Sequence, residues 1–244
     1  MDSKLLTSLQ NPAVKHLVKL RNDPKYRYEQ QSLIVEGCKL IREIIPYIKR
    51  IYIEESFKDF PENVPETWIV SDAVMKKISG MTSPEGIVAE VCMPAFSSLK
   101  NMRYILALDG INDPGNLGTL MRTALALGWD GAYFLPDCCD PFNEKAVRSA
   151  RGAQFRLPFA RGSAAELHRL AIENNLTIYV ADLQGSSPEI IAKEAGKILV
   201  LGNEARGASE EIGRFATRIT IPMPGEMESL NVGIAGGILM YELK

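Results

Sequence analysis

From Tyr104 onward, short apolar runs alternate with stretches carrying a helical apolar stripe, which predicts βα units and a mostly parallel sheet. Residues 104–108 read as the first buried strand. A polar, glycine-rich loop at 109–118 leads into a helix whose stripe is Leu117, Leu120, Ala124 and Leu127. Arg122 lies one turn inside that helix, off the stripe. Residues 198–201 form an uninterrupted apolar run closed by Gly202, the pattern of a strand buried on both faces. A second strand is predicted at 218–221, cut off by Pro222, Pro224 and Gly225. The last helix can be capped by Ser229 or Asn231 and carries Gly233, Gly236 and Gly237. Each glycine costs a helix about 1 kcal/mol relative to alanine, so a neighbouring backbone, helix or ligand is expected to approach closely there, with tight packing alone as the plainer explanation.

In open α/β sheets the loops at the carboxyl ends of the strands form the ligand crevice. Asn203, Glu204 and Arg206 are therefore expected to face residues 223–231 across a pocket.

The first ninety residues read as a small, separate α/β unit. Asn11 and Pro12 supply a cap and a first-turn proline for a helix that stops before Pro24, with Lys15 and Lys19 on one face. Strands are predicted at 32–35, 50–53, 67–70 and 86–91, and helices at 39–48 and 72–79, the latter capped by Ser71. The Pro- and Ser-containing segment 94–103 reads as a linker, dividing the chain into domains 1–93 and 104–244.

The 244 residues, 46% of them hydrophobic, suit a globular protein of one large or two ordinary domains. The longest stretch without Asp, Glu, Lys or Arg runs only over 229–241, too short to span a bilayer, and the start of the chain lacks a secretory pattern. A cytoplasmic location without membrane contact is expected. Cys38, Cys92, Cys138 and Cys139 form no C-x-x-C pair, so no zinc site or disulfide framework is expected. The net charge of -2 argues against bulk electrostatic coating of nucleic acid. Its distribution is uneven: residues 4–50 carry ten Lys or Arg against four acids, and 145–169 carry six against one. Either region can grip a phosphate backbone or be an ordinary solvated face. No G-x-G occurs, which removes the usual dinucleotide fingerprint. The two G-x-x-x-x-G spacings are followed by Asn116 and Ala208 where a phosphate-binding loop needs lysine. His16 and His168 lie outside the polar loops, so histidine general-base chemistry is not expected.

Three segments, NDPGNLGTLMRTA at 112–124, LVLGNEARGAS at 199–209 and ITIPMPGEMESLNVGIA at 219–235, resemble in order the three motifs of the SpoU (TrmH-like) branch of the SPOUT RNA ribose 2′-O-methyltransferases. The segments 140–158 and 82–90 are also similar to family segments, and 11–93 resembles the ribosomal-protein-type, L30e-like RNA-binding domain that many members carry. The resemblance implies an α/β protein: a SPOUT domain with a parallel sheet and deep trefoil knot, preceded by a small L30e-like domain. It also implies a homodimer and S-adenosylmethionine as methyl donor, with no metal.

By this resemblance the backbone of Leu201, Gly202, Ile221, Met223 and Leu230 surrounds the cofactor. Arg122 stands nearest the ribose hydroxyl and the target phosphate, with Asn116, Glu204, Ser229 and Asn231 shaping the site. Because a guanidinium is very hard to deprotonate, Arg122 is expected to stabilise a developing alkoxide and clamp phosphate, and Glu204 to hold Arg122 of its own or a partner subunit. Lys15, Lys19, Arg148 and Arg151 are the expected RNA contacts; Ala150 and Arg151 depart from the family's usual residues. The expected reaction is methylation of a ribose 2′-hydroxyl in structured RNA, with ribosomal RNA favoured over tRNA. A non-catalytic RNA-binding or assembly factor of the same fold is the competing class.

Overall fold

A computed structural model of the chain describes residues 4–58, 61, 64–188 and 195–244. Its contacts divide into two compact units, one of Met1–Ala95 with Phe142–Glu144 and one of Phe96–Pro141 with Lys145–Lys244.

The first unit runs β1 (Lys4–Leu6), α1 (Pro12–Asn22), α2 (Pro24–Gln30), β2 (Ser32–Glu36), α3 (Cys38–Glu43), β3 (Ile48–Glu54), β4 (Thr67–Val70), α4 (Asp72–Ser79) and β5 (Ile87–Cys92). Among the described residues these strands form a five-stranded sheet in the order β1-β4-β3-β5-β2, with β5 antiparallel to both neighbours. Val14, Leu17 and Leu20 of α1 and Val74, Met75 and Ile78 of α4 pack with Tyr52 and Val88 of the sheet in one core. The side chain of Asn11 caps α1 by accepting from Ala13 N–H, as expected.

The first helix ends at Asn22, before Pro24 as expected, and Pro24 opens a further helix that was not read from sequence: Asp23 caps it by accepting from Tyr26 N–H, and a proline in the first turn sacrifices no helical bond. The helix expected over 39–48 stops at Glu43; Pro46 cannot continue it, so Ile45–Tyr47 form a 3-10 turn and β3 begins at Ile48. The short β1 adds a parallel edge beside β4 that no sequence pattern announced.

The second unit runs β6 (Tyr104–Asp109), α5 (Pro114–Ala126), β7 (Gly131–Phe134), α6 (Glu144–Ala150), β8 (Phe159–Arg161), α7 (Ala164–Glu173), β9 (Thr177–Ser186), β10 (Lys197–Gly202), α8 (Glu210–Gly213), β11 (Thr217–Ile219) and α9 (Val232–Glu242). Among the described residues its sheet has the order β11-β9-β10-β6-β7-β8, and every pairing is parallel. The central strands β10 and β6 are the apolar runs read from sequence, and Leu199 to Leu201 and Ile105 to Leu108 are buried on both faces.

The last helix packs on α5 and β10. A Cβ at Gly236 would run into the side chains of Leu120 and Leu201, so this glycine lets α9 sit against both elements. Its carboxyl end is fastened by the fully buried Lys197, whose Nζ donates to Leu243 O at 2.8 Å, and by Trp129, whose Nε1 donates to Met240 O at 3.2 Å. Its amino end is capped by Asn231 rather than Ser229. Among the described residues, no helix is long and apolar enough to cross a membrane.

Candidate functional site

The carboxyl ends of β6 and β10 lie side by side, with Gly202 in register with Asp109. The turn that follows β10 is fixed by hydrogen bonds. Asn203 Oδ1 accepts from the N–H groups of Ala205 and Arg206 at 3.0 and 3.1 Å, and Asn203 Nδ2 donates to Gly110 O at 2.8 Å. Asp109 Oδ2 accepts from Ser209 N–H at 2.7 Å, tying the far end of the turn to β6. A Cβ at Gly202 would enter the backbone of Gly207 and Ala208, so only glycine permits this return of the chain.

Beside this turn is a cavity of about 790 Å³, within the ordinary range of small-molecule sites. Its walls include Leu201, Gly202, Ile221, Met223 and Leu230, and its rim includes Glu204, Ser229 and Asn231. The two loops expected to face each other across a pocket do so. A third wall, Ala181, Asp182, Leu183 and Gln184, was not read from sequence. It arises where β11 pairs with β9: Arg218 is opposite Val180 but Ile219 is opposite Ser186, so the intervening residues of β9 swing out of the ladder. This slip also leaves β11 shorter than the strand expected over 218–221. Asp182 is held at 3.6 Å from Arg218.

Asn116 joins the two sides. Its Nδ2 donates to Glu204 Oε1 at 2.9 Å, and its Oδ1 accepts from Asn231 Nδ2 at 3.1 Å. Asn231 Oδ1 meanwhile caps α9 by accepting from Gly233 and Ile234 N–H at 2.9 and 3.3 Å. Three of the five expected catalytic side chains, from three separate segments, thus form one hydrogen-bonded group, and Ser229 joins the same cavity rim. Arg122 does not join it. This exposed residue of α5 is absent from the cavity lining, and the carboxylate expected to hold it within its own chain, Glu204, is engaged by Asn116.

Lys15 and Lys19 are exposed one turn apart on α1, where Lys19 Nζ lies 4.1 Å from the centroid of the Tyr26 ring. Arg148 is exposed on α6, and Arg151 follows that helix with φ 50°, a left-handed conformation rare for a long side chain. The Cys138 and Cys139 thiols are pushed up to about 11 and about 12 by burial, so neither is a ready nucleophile at neutral pH. Among the described residues no group of three or more His, Cys, Asp or Glu side chains is placed to hold a metal ion.

Comparison with known proteins adds the following. Residues 103–241 match the SpoU rRNA methylase family, and residues 11–89 match the MRM3-like substrate binding domain. The chain is 29% identical over 249 residues to the 23S rRNA (guanosine(2553)-2'-O)-methyltransferase RlmP of Bacillus subtilis, covering 99% of each. It is 30% identical over 259 residues to an uncharacterized tRNA/rRNA methyltransferase of Synechocystis, covering 100% of this chain and 94% of that one. Its structure is similar to the AdoMet-bound rRNA methyltransferase from Sinorhizobium meliloti, with a TM-score of 0.87 and 29% identity, over 99% of this chain and 97% of that one.

Proposed function

Since the chain belongs to the SpoU rRNA methylase family, we propose that it methylates a ribose 2′-hydroxyl of ribosomal RNA of the 23S type, using S-adenosylmethionine. The observation that carries this reading is the cavity: backbone-rich strand ends make its walls, and the Asn116, Glu204 and Asn231 group stands at its rim. The cofactor fits that chemistry. Its adenosine needs apolar walls with a few backbone donors, which Leu201, Gly202, Ile221, Met223 and Leu230 provide, while Asp182, Glu228 and Arg206 offer charges to its amino-acid end. When bound, S-adenosylmethionine supplies an electrophilic methyl group.

The protein's own task is alignment and electrostatics. An in-line displacement at a methyl carbon requires the attacking oxygen to be held on the axis, and the Asn116 group fixes the rim against which a ribose would rest. Arg122 clamps a phosphate of the target nucleotide and stabilises charge building on the ribose oxygen. Because Arg122 lies outside the cavity lining of its own chain, we place it at the cavity of a second copy in a homodimer. The exposed apolar residues of α9 support that assembly. We further propose domain limits of 1–93 and 104–244 with a linker at 94–103, a first domain of the L30e-like kind that contacts RNA through Lys15 and Lys19, and further contacts by Arg148 and Arg151 of the second. In the second domain we also propose the trefoil knot that the motif resemblance implies. The cytoplasm is the compartment proposed for this activity.

The test is a methyl-transfer assay with labelled S-adenosylmethionine and, in separate reactions, unmodified 23S rRNA and tRNA, followed by digestion to nucleosides. Label is expected as a 2′-O-methyl nucleoside from the ribosomal RNA. Arg122→Ala should lower the rate roughly 100- to 1,000-fold, the scale of losing one oxyanion donor. Label on a base, or only in tRNA, would refute the assignment.

A further inference from the structure

Behind the Asn116 group stands an ion pair between Asp113 of the first motif and Lys145, to which the motifs assign no role. Asp113 is the N-cap of α5, and its two carboxylate oxygens are divided between two donors. Oδ1 accepts from the backbone N–H of Asn116 at 2.8 Å, while Oδ2 accepts from Lys145 Nζ of α6 at 2.6 Å. The lysine therefore holds the carboxylate in the rotamer that caps the turn bearing Asn116. The Asp113 carboxyl is kept below the usual carboxylate range, first by the Lys145 hydrogen bond and then by that of Asn116.

The two helices are built to meet at this point. A Cβ on Gly118 would collide with Ala146 O and come within 2.8 Å of Ser149 Cβ. A Cβ on Gly115 would lie 2.8 Å from Asp113 Oδ1 and 3.1 Å from Lys145 Cε. Both glycines allow α6 to lie against the first turns of α5 with Lys145 over the cap. The ion pair is half exposed, with side-chain exposures of 56% and 43%, and pairs of this kind contribute little to stability. Its geometry bears instead on the turn that carries Asn116, whose backbone N–H the Asp113 carboxylate holds.

We propose that Lys145 is a positioning residue for methyl transfer, acting through the Asp113 cap to set Asn116, and that it links the basic helix α6 to the catalytic rim. The proposal rests on the methyltransferase reading given above. Lys145 touches neither cofactor nor ribose in this scheme, so its removal lowers kcat while leaving cofactor affinity unchanged.

Three variants test it: Lys145→Met, which removes the charge; Lys145→Arg, which restores a donor; and Asp113→Asn, which keeps a capping oxygen but cannot accept from the lysine through its amide nitrogen. Steady-state kinetics on 23S rRNA and hydrogen exchange at Asn116 and Leu117 are measured on each full-length protein. Lys145→Met and Asp113→Asn are expected to lower kcat roughly ten- to hundred-fold, the scale of a misplacement of about an ångström, and to speed exchange at both amides. Lys145→Arg is expected to recover most of both. The double variant should be no worse than either single one. A raised KM for RNA with unchanged kcat and unchanged exchange would overturn the proposal, since it would make Lys145 a phosphate contact. Additive losses in the double variant would also overturn it. If the unaltered protein transfers no methyl group to any RNA, the functional reading fails instead. Exchange then decides the positioning by itself, and unchanged protection in Lys145→Met sinks it.

Discussion

Asn116 uses both ends of its amide, donating to Glu204 and accepting from Asn231, from segments far apart in sequence. Replacing it with alanine leaves both without that bond but removes nothing from the cavity walls. Asn116→Ala is therefore expected to keep cofactor affinity, measured by calorimetry, and to lose roughly ten- to hundred-fold in kcat through misalignment. A loss confined to cofactor binding would contradict this division. The cysteines give a second residue-scale expectation. With their thiols pushed up to about 11 and about 12 by burial, Cys138 and Cys139 stay in the unreactive thiol form at neutral pH, while Cys92 is exposed. Iodoacetamide at pH 7.5 followed by mass spectrometry should find Cys92 alkylated well before either; equal labelling in folded protein would refute the burial. The two facing cavity loops, with Asn203, Glu204 and Arg206 on one side and residues 223–231 on the other, were legible because each follows an apolar strand, whereas Asn116 entered only through the motif resemblance. Lys145 was not legible: a lysine in a basic helix has the same sequence signature whether it faces solvent or holds a cap.

At the scale of elements, the glycines of α9 separate into different roles. The Gly236 position has no room for a side chain between Leu120 and Leu201, whereas a Cβ at Gly237 would meet only Thr123 Cγ2, at an ordinary 3.7 Å. Gly236→Val is expected to destabilise the protein by about 1–3 kcal/mol through overpacking, and Gly237→Ala to stabilise it by up to about 1 kcal/mol through helix propensity. Thermal melts of the two variants should move in opposite directions, and a shared direction would refute the packing account. The elements that sequence predicted well are those whose signal is local: β6 and β10 as continuous apolar runs, α1 and α4 with their capping side chains. The misses have non-local or compound causes. Asp23 closes one helix and opens the next, so the proline after it reads as a stop and is also a start. β1 is a strand only because β4 offers it an edge. The outward swing of β9, which makes the third wall of the cavity, depends on where β11 pairs, and the single hint was Gly185, whose Cβ would meet the backbone of Ile219.

At the scale of the whole molecule, the distribution of apolar surface on α9 sets the last expectation. The helix is apolar on nearly every side. Gly233, Gly236, Leu239 and Met240 are buried, while Ile234, Ile238 and Tyr241 are 57%, 39% and 72% exposed. Those three residues follow the i, i+4, i+7 spacing of one helical stripe, so they form a continuous ridge rather than scattered exposures. A ridge of this composition is costly to leave in water, and in the proposed homodimer a second copy related by a two-fold axis would cover it with the same ridge. The proposed dimer also answers the placement of Arg122, exposed on α5 and outside the cavity of its own chain. One substitution joins the two arguments. Ile238→Glu puts like charges against each other across a two-fold contact but disturbs little in the isolated chain, where the side chain is already partly exposed. It is expected to convert a dimer to a monomer in light scattering, to leave the circular dichroism spectrum unchanged, and to reduce methyl transfer as severely as Arg122→Ala. Full activity in a monomeric Ile238→Glu protein would show that one chain completes the site unaided, and Arg122 would then have to reach the cavity within its own chain.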